Sequence, residues 1–360
     1  MALLLADNAA TLNNSTDQQK QGSVSGNLYN LTSWNKTLNT DWYNVNTGLN
    51  KYNRYGSYLF TTSPSYLQKN ISNTTTIYMN FSTYYVNNGT TVYVNFFDTL
   101  ANIQCTIYFY SAFDSNYPQC VRVTRGDKTG TQIALAPYSL AYNTWTNVSL
   151  KVTFSNSVGT VDIKINDNLV LSATGLDNCI TSNEYTNLVC FGVEGNSPNA
   201  LATDFLLYDS TGSNNTWISS ENVSIRTLMA NSDGTTNDFT PSSGSRYQCV
   251  DEQQTNDDTD YVTSSVLNSV QLFGITDVAS GSISSINAIQ VVANSRKMDP
   301  GGRRVKLIAR TNSTNYESTE LTLNPEYVQL KSIWEVNPNT SSAWTEADIN
   351  ALEAGVKISS

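Results

Sequence analysis

The sequence predicts an all-β protein, a β-sandwich followed by a smaller β-sandwich that closes on one short helix. Three observations carry this. Runs such as TTTIYMNFSTYY, TVYVNFFD and IQCTIYFYSAF alternate apolar and polar residues, the period of a half-buried strand. The chain has 21 Tyr, much Thr and Val, and few helix formers, a composition suited to pleated surfaces. Turn signals punctuate the runs, among them Asn87-Asn88-Gly89, Gly126-Asp127 and Asn166-Asp167-Asn168.

The 360 residues suffice for two domains. Residues 1–50 are polar and aperiodic and read as an arm that carries the isolated aromatics Trp34, Trp42 and Tyr43. Residues 51–215 form the first sandwich. Its clearest stretch runs from Trp145: Val148, Leu150, Val152 and Phe154 share a face, Ser157 to Gly159 turn, and Val161, Ile163 and Ile165 alternate before Leu169-Val170-Leu171 returns. Trp145, opening the best-patterned strand, is expected in the core. Residues 216–360 form the second sandwich, with strands in INAIQVVAN, RRVKLIART, NYESTELTL and EYVQLKSIWEV. Thr345 with Asp348 approximates a capping box for a helix from Glu346 to Ala354, with Gly355 as its stop. Ala347, Ile349, Leu352 and Val356 are its docking residues.

The order Trp145, strand, Gly turn, alternating strand, Asp167-Asn168 turn, strand resembles the core of the laminin-G/concanavalin-type jelly roll. VRVTRGDKTGTQIALAPYSLAYNTW fits the strands before it, and LVCFGVEGN and ATDFLLYDSTGSNNTW those after. Asp167-Asn168 stands where that family has Asn-Gly, and both residue types accept the left-handed backbone. The resemblance covers about 150 residues, Gly56 to Asp209. The downstream order, ending in WEVNPNTSSAWTEADINALEAGVKI, is similar to virion and tail-region proteins of tailed phages. That likeness implies a structural role on a virion (capsid decoration, head fibre or tail) and no catalytic residue.

Composition narrows the function classes. Charged residues make up only 14%, against ~25% in ordinary domains. The net charge of −10 and pI of about 4.5 oppose nucleic-acid binding. With no histidine, His-based acid–base catalysis and nucleophilic triads are excluded. Glycosidases on this fold need two carboxylates across a cleft, and no strand carries Glu-x-Asp-x-x-Glu, so no enzyme is expected. Cys105, Cys120, Cys179, Cys190 and Cys249 show no CxxC spacing and read as buried thiols, with Cys105/Cys120 and Cys179/Cys190 as pairs that neighbouring strands could set face to face. MALLLADNAA lacks a basic n-region and reads as no signal peptide. No window approaches the ~20 apolar residues of a membrane span. Asn-x-Ser/Thr sequons at Asn30, Asn35, Asn70, Asn80, Asn88, Asn147, Asn222 and Asn312 follow from a chain rich in these residues; their alternative reading is a glycosylated surface.

Three sets of residues are site candidates. Asp114, Tyr117, Tyr138, Tyr142 and Asn143 combine aromatic rings with polar hydrogen-bonding groups, the chemistry of a glycan contact. No cofactor is expected, and Asp257, Asp258 and Asp260 form the acidic cluster that would hold Ca²⁺. Asp98, Asp114, Asp204 and Asp209 are weaker calcium candidates. Trp34, Trp42 and Tyr43 would anchor the arm on a neighbouring subunit and cover a sheet edge there. Arg296-Lys297 and Arg303-Arg304, around a Gly-Gly turn, would pair with an acidic neighbour or form a solvated hairpin. The leading expectation is thus a homo-oligomeric virion protein, made in the host cytoplasm and working beside other virion proteins, with no nucleic-acid or membrane partner. The alternative is a receptor protein contacting host-surface glycans.

Overall fold

The computed structural model describes residues 3–7, 36–38, 40–43, 57–60, 64–85, 90–110, 120–138, 140–195, 200–211, 217, 225–252 and 258–360. Among the described residues the protein is all-β, with antiparallel sheets, one short α-helix and a single 3-10 turn at Tyr247–Cys249. It divides into two compact units, the first reaching Ile225 and the second running from Arg226 to Ser360.

The strands of the first unit are, in order, β1 (Leu3–Asp7), β2 (Lys36–Leu38), β3 (Thr40–Tyr43), β4 (Ser57–Phe60), β5 (Ser65–Thr74), β6 (Thr76–Tyr85), β7 (Thr90–Phe97), β8 (Ile103–Tyr110), β9 (Val121–Arg125), β10 (Thr131–Ala136), β11 (Trp145–Thr153), β12 (Gly159–Ile165), β13 (Asn168–Leu176), β14 (Thr186–Gly195) and β15 (Ala200–Asp209). Sheet I has the order β13-β12-β11-β6-β15-β4-β3, and sheet II the order β10-β9-β8-β7-β14-β5-β2. The two pack face to face as an antiparallel β-sandwich. The alternation sends Phe81 and Phe205 inward from sheet I and Phe109 and Phe191 inward from sheet II. Phe191 lies 5.4, 5.0 and 4.9 Å from Phe60, Phe81 and Phe205 between ring centroids. Val92, Ile107, Val123, Val148, Leu150 and Ile163 complete a core closed to solvent.

The arm differs from expectation. Its strands pair within the chain: β1 on β15, β2 on β5 and β3 on β4. The physical reason is edge coverage: β5 and β4 have open backbone groups, and the nearest segment that can satisfy them is the chain's own. β15 carries a bulge between Thr203 and Leu206, where Asp204 takes φ 53°. Its second edge is shared, with β4 before the bulge and β1 after it.

The meander β11–β12–β13 forms as read, with Val148 opposite Ile165 and Leu150 opposite Ile163. Trp145, however, is only half buried. It sits on the outer face of sheet I opposite Tyr84, ring centroids 5.6 Å apart. The strand's period requires this, since Trp145 is out of phase with Val148, Leu150 and Val152. The five cysteines are free and buried. Cys105 lies opposite Arg125, and Cys190 opposite Gln68 and Asn95, so neither pair meets by strand pairing.

In the second unit, β16 (Ala230–Asn237), β17 (Thr240–Pro241), β18 (Val262–Thr263), β19 (Val270–Ile275), β20 (Ile289–Ser295), β21 (Arg303–Thr311), β22 (Thr314–Glu317), β23 (Leu321–Leu323), β24 (Val328–Trp334) and β25 (Glu353–Ile358) accompany α1 (Glu346–Asn350). Sheet III runs β16-β19-β25-β21-β22, with β23 also on β21; β20 pairs with β24 and β17 with β18. Val291 and Leu330 from the β20–β24 ribbon pack with Leu307, Trp344, Ile349 and Leu352. The expected helix ends four residues early. Its capping box forms, with Thr345 Oγ1 accepting from Asp348 N, but Ala354 and Val356 belong to β25 between β19 and β21. A central strand with partners on both sides outweighs local helical preference. Among the described residues no helix is long and apolar enough to cross a membrane.

Candidate functional site

The expected site residues separate. Asp114, Tyr117, Trp34 and Asp257 lie outside the described residues. Trp42 and Tyr43 lie on β3, opposite Tyr58 and Ser57 of the same chain. Tyr142 and Asn143 are together at the end of β6, where Asn143 N donates to Tyr85 O at 2.9 Å and Asn143 takes φ 51°. Tyr138, half buried, follows β10 of sheet II.

Asp258 accepts hydrogen bonds from Arg296 Nη2 at 2.8 Å and Tyr327 Oη at 2.9 Å, and the Arg296 guanidinium stacks 5.1 Å from the Tyr327 ring. A guanidinium thus already takes this carboxylate. Asp260 is half buried before β18. No group of three Asp, Glu or Cys able to hold a metal occurs among the described residues. The basic spot is neutralised within the chain, through Arg296–Asp258, Arg303–Asp299 at 2.6 Å and Arg304–Glu320 at 3.0 Å.

Asp98 and Asp204 are structural. The Asp98 carboxylate accepts from Leu100 N and Asn102 N, and from the side chains of Asn102, Gln104, Thr181 and Asn183. Burial alone would raise its pKa, but the donors outweigh burial and bring it to about 2. Asp204 accepts from Ile225 N at 3.3 Å. Ile225 and Trp217 lie against Tyr78, Leu206 and Tyr208 on the outer face of sheet I. Trp217 donates its indole N–H to Ser149 and stacks under Lys164, 4.2 Å away. The chain itself thus covers part of that face.

The outer face of sheet II is different. Strand register lays one row across it: Tyr66 on β5, Gly192 on β14, Tyr93 on β7, Tyr108 on β8 and Arg122 on β9. Gly192 is required there, because a Cβ would come within 2.2 Å of Tyr93 Cζ, whose ring lies across it. Tyr93 and Tyr108 stand 6.1 Å apart, and Tyr110 stacks on Tyr108 at 5.6 Å. The next row is Gln68, Cys190, Asn95, Thr106 and Thr124. Asn95 Oδ1 is buried and accepts no hydrogen bond among the described residues.

The β9–β10 turn folds back over these rows. Thr124 Oγ1 donates to Asp127 O at 2.9 Å and Arg122 Nη1 to Lys128 O at 3.4 Å. The turn is tight at Gly130, where a Cβ would meet Arg125 O at 1.9 Å. Lys128 Nζ reaches Glu194 Oε2 on β14, 3.1 Å away. Beneath this crossing Tyr93 is 7% exposed, Tyr108 3% and Arg122 6%. Burial raises the pKa of Tyr93, Tyr108 and Tyr110, and the Glu194 charge adds to it. The Arg122 guanidinium, hydrogen-bonded to the Tyr110 hydroxyl, pulls the other way there. Tyr93 and Tyr108 are thus closed beneath the turn, and the half-buried Tyr66 and Tyr110 are the rings of this face that reach solvent. This chemistry suits a polyhydroxylated ligand.

The sequence reading missed this face. Its signal was present in TVYVNFF and CTIYFY, where tyrosine repeatedly takes the outward positions of otherwise apolar strands.

No protein-family model matches the chain, and no curated protein matches it. Among solved structures it is similar to a tetrameric galectin from the ball sponge Cinachyrella, at 9% identity and TM-score 0.31, over 40% of this chain and 99% of that one. A protein with a galectin-like fold from Bacillus subtilis matches at 9% and 0.33, over 47% and 89%. An alginate lyase bound to alginate tetrasaccharide matches at 14% and 0.33, over 57% and 96%. At these scores the fold rests on the sheet topology above, and not on the likenesses.

Proposed function

We propose that the first unit is a non-catalytic saccharide-binding module acting through the outer face of sheet II. The carrying observation is the row Tyr66–Gly192–Tyr93–Tyr108–Arg122, tyrosines aligned across neighbouring strands with a glycine opening room for one ring. Stacking on the half-buried rings of Tyr66 and Tyr110 contributes about 0.5–1.5 kcal/mol each beyond burial. Glu194 is engaged by Lys128, which supports binding rather than hydrolysis. Glycan-array binding of the full chain against a Tyr66→Ala/Tyr110→Ala variant tests this, since both rings are only half buried. Loss of binding with unchanged circular dichroism is expected. Equal binding by both proteins refutes the proposal.

The second reading, a virion protein assembled in several copies, draws on the closing stretch and on a charge-poor, Asn/Ser/Thr-rich composition. The two are compatible, since a particle-borne lectin contacts a host surface. Immunogold labelling of native particles tests it, and absence of this chain from them overturns it.

A further inference from the structure

We propose that the outer face of sheet I holds a second saccharide site, which the chain's own Trp217 occupies, so that a sugar enters by displacing that indole. The inference goes beyond the sheet II reading and does not depend on it.

The outward positions of β11 are Trp145, Asn147, Ser149 and Lys151, and the register sets Ser82 and Asn80 of β6 and Lys164 of β12 beside them. These residues make a polar floor. Tyr208 Oη and Ser149 Oγ both donate to Asn80 Oδ1, at 3.2 and 3.0 Å, and in the next row Ser82 Oγ donates to Asn147 Oδ1 at 2.9 Å. Trp145, half buried against Tyr84, stands at one end of this floor as a ring platform.

Trp217 donates its indole N–H to Ser149 Oγ, and the Lys164 ammonium lies 4.2 Å from its ring centroid. Ser149 has no exposed surface beneath it. The indole thus completes a chain of hydrogen bonds, from Trp217 to Ser149 to Asn80. A sugar hydroxyl completes the same chain, because it too can donate to Ser149, and Lys164 then donates to sugar oxygens instead of facing a ring. Floor and cover are also mismatched. Where Ile225 and one flank of Trp217 pack, the floor is apolar, made of Tyr78, Leu206 and Tyr208. Under the indole N–H it is Asn80, Ser149 and Lys164. Burying amides and hydroxyls costs free energy that an apolar floor avoids, so a permanent cover has no use for them, whereas a ligand held by hydrogen bonds does. The polar hold on Trp217 is one neutral hydrogen bond and one cation–π contact, both weak enough to be exchanged.

The test is a glycan array read with the full chain carrying Tyr66→Ala/Tyr110→Ala, which silences the sheet II face, with and without Trp217→Ala. Removing Trp217 is expected to raise binding by about tenfold, the size of a neutral hydrogen bond and a cation–π contact together, since self-occupancy weakens apparent binding by the fraction of molecules left open. Adding Ser149→Ala should return the signal to the level seen with Trp217 intact. Trp217→Phe keeps a ring under Lys164 and loses the N–H, so it should give a smaller rise, and it decides the matter where circular dichroism shows Trp217→Ala unfolded. No rise with either variant overturns the inference, and so does a rise that survives Ser149→Ala. The sheet II reading stands or falls on Tyr66→Ala/Tyr110→Ala with Trp217 intact, so each proposal can fail without the other.

Discussion

Replacing Asp98 by asparagine removes a charge without removing volume. The Asp98 carboxylate lies at the β7–β8 turn and joins it to the loop before β14 through Thr181 and Asn183. Its pKa falls from the ordinary 3.8 to about 2. Lowering a buried carboxyl that far contributes about 2 kcal/mol to stability at neutral pH. The contribution is full above the ordinary carboxyl range and lost as pH falls from about 4 through about 2, because the unfolded chain takes up the proton first. The amide introduced by Asp98→Asn would also turn an N–H₂ toward donors from Asn102, Gln104, Thr181 or Asn183, adding about 1–2 kcal/mol. The measurement is urea denaturation of the full chain, read on the first unit's transition and located by hydrogen exchange at Leu100 and Asn102. At neutral pH, Asp98→Asn should cost about 2–4 kcal/mol. Near pH 2 the gap to wild type should shrink, since wild type then also carries a protonated Asp98. Equal midpoints at neutral pH, or a gap that persists on acidification, would refute the reasoning.

Other substitutions probe the remaining layers. Phe191→Ala empties the centre of the phenylalanine cluster and should destabilise the first unit by about 3–5 kcal/mol in the same denaturation experiment. Trp145→Ala removes a half-buried ring that meets Tyr84 and should cost nearer 1 kcal/mol; a core-sized loss would show that the outward placement is wrong. In the second unit, Glu346 accepts from Gly281 N and Ile283 N, and these bonds hold its pKa below the ordinary 4.5. Glu346→Gln should speed hydrogen exchange at Gly281 and Ile283 at neutral pH. Acidifying the wild type through the range just below the ordinary carboxyl value should do the same, because a lowered carboxyl loses its contribution as pH falls.

Strand periodicity is legible wherever a strand has one wet face and one dry. RRVKLIART forms β21 at the residues expected, and the β11–β12–β13 meander pairs as its alternation demands. Three departures have specific causes. Hydrophobicity argues for an inward Trp145, although its odd spacing from Val148 already puts it on the opposite face. Leu352, Ala354 and Val356 suit a continued helix, and pairing with both β19 and β21 is a long-range fact. NYESTELTL breaks into β22 and β23, which meet different stretches of β21. The tyrosine face is hidden for a related reason. Tyr93, Tyr108 and Arg122 are distant in sequence, and only the register of β7, β8 and β9 sets them in one row. Tyrosine also reads as apolar in a hydrophobicity pattern, so an outward tyrosine looks like an uninformative residue within a buried strand.

The shared edge of β15 bears on how the first unit comes to exist. Leu3 meets Tyr208, and Asp7 meets Phe205, so the earliest strand waits for the latest one. β6 likewise gains its β15 neighbour only after β7 to β14 have been made. Closing such distant pairs costs loop entropy before any burial repays it, which places this unit among slow, high-contact-order folders. During synthesis, therefore, the apolar inner faces of both sheets emerge well before β15 arrives to complete sheet I. Over that interval the nascent chain is the species most exposed to aggregation and to chaperone capture.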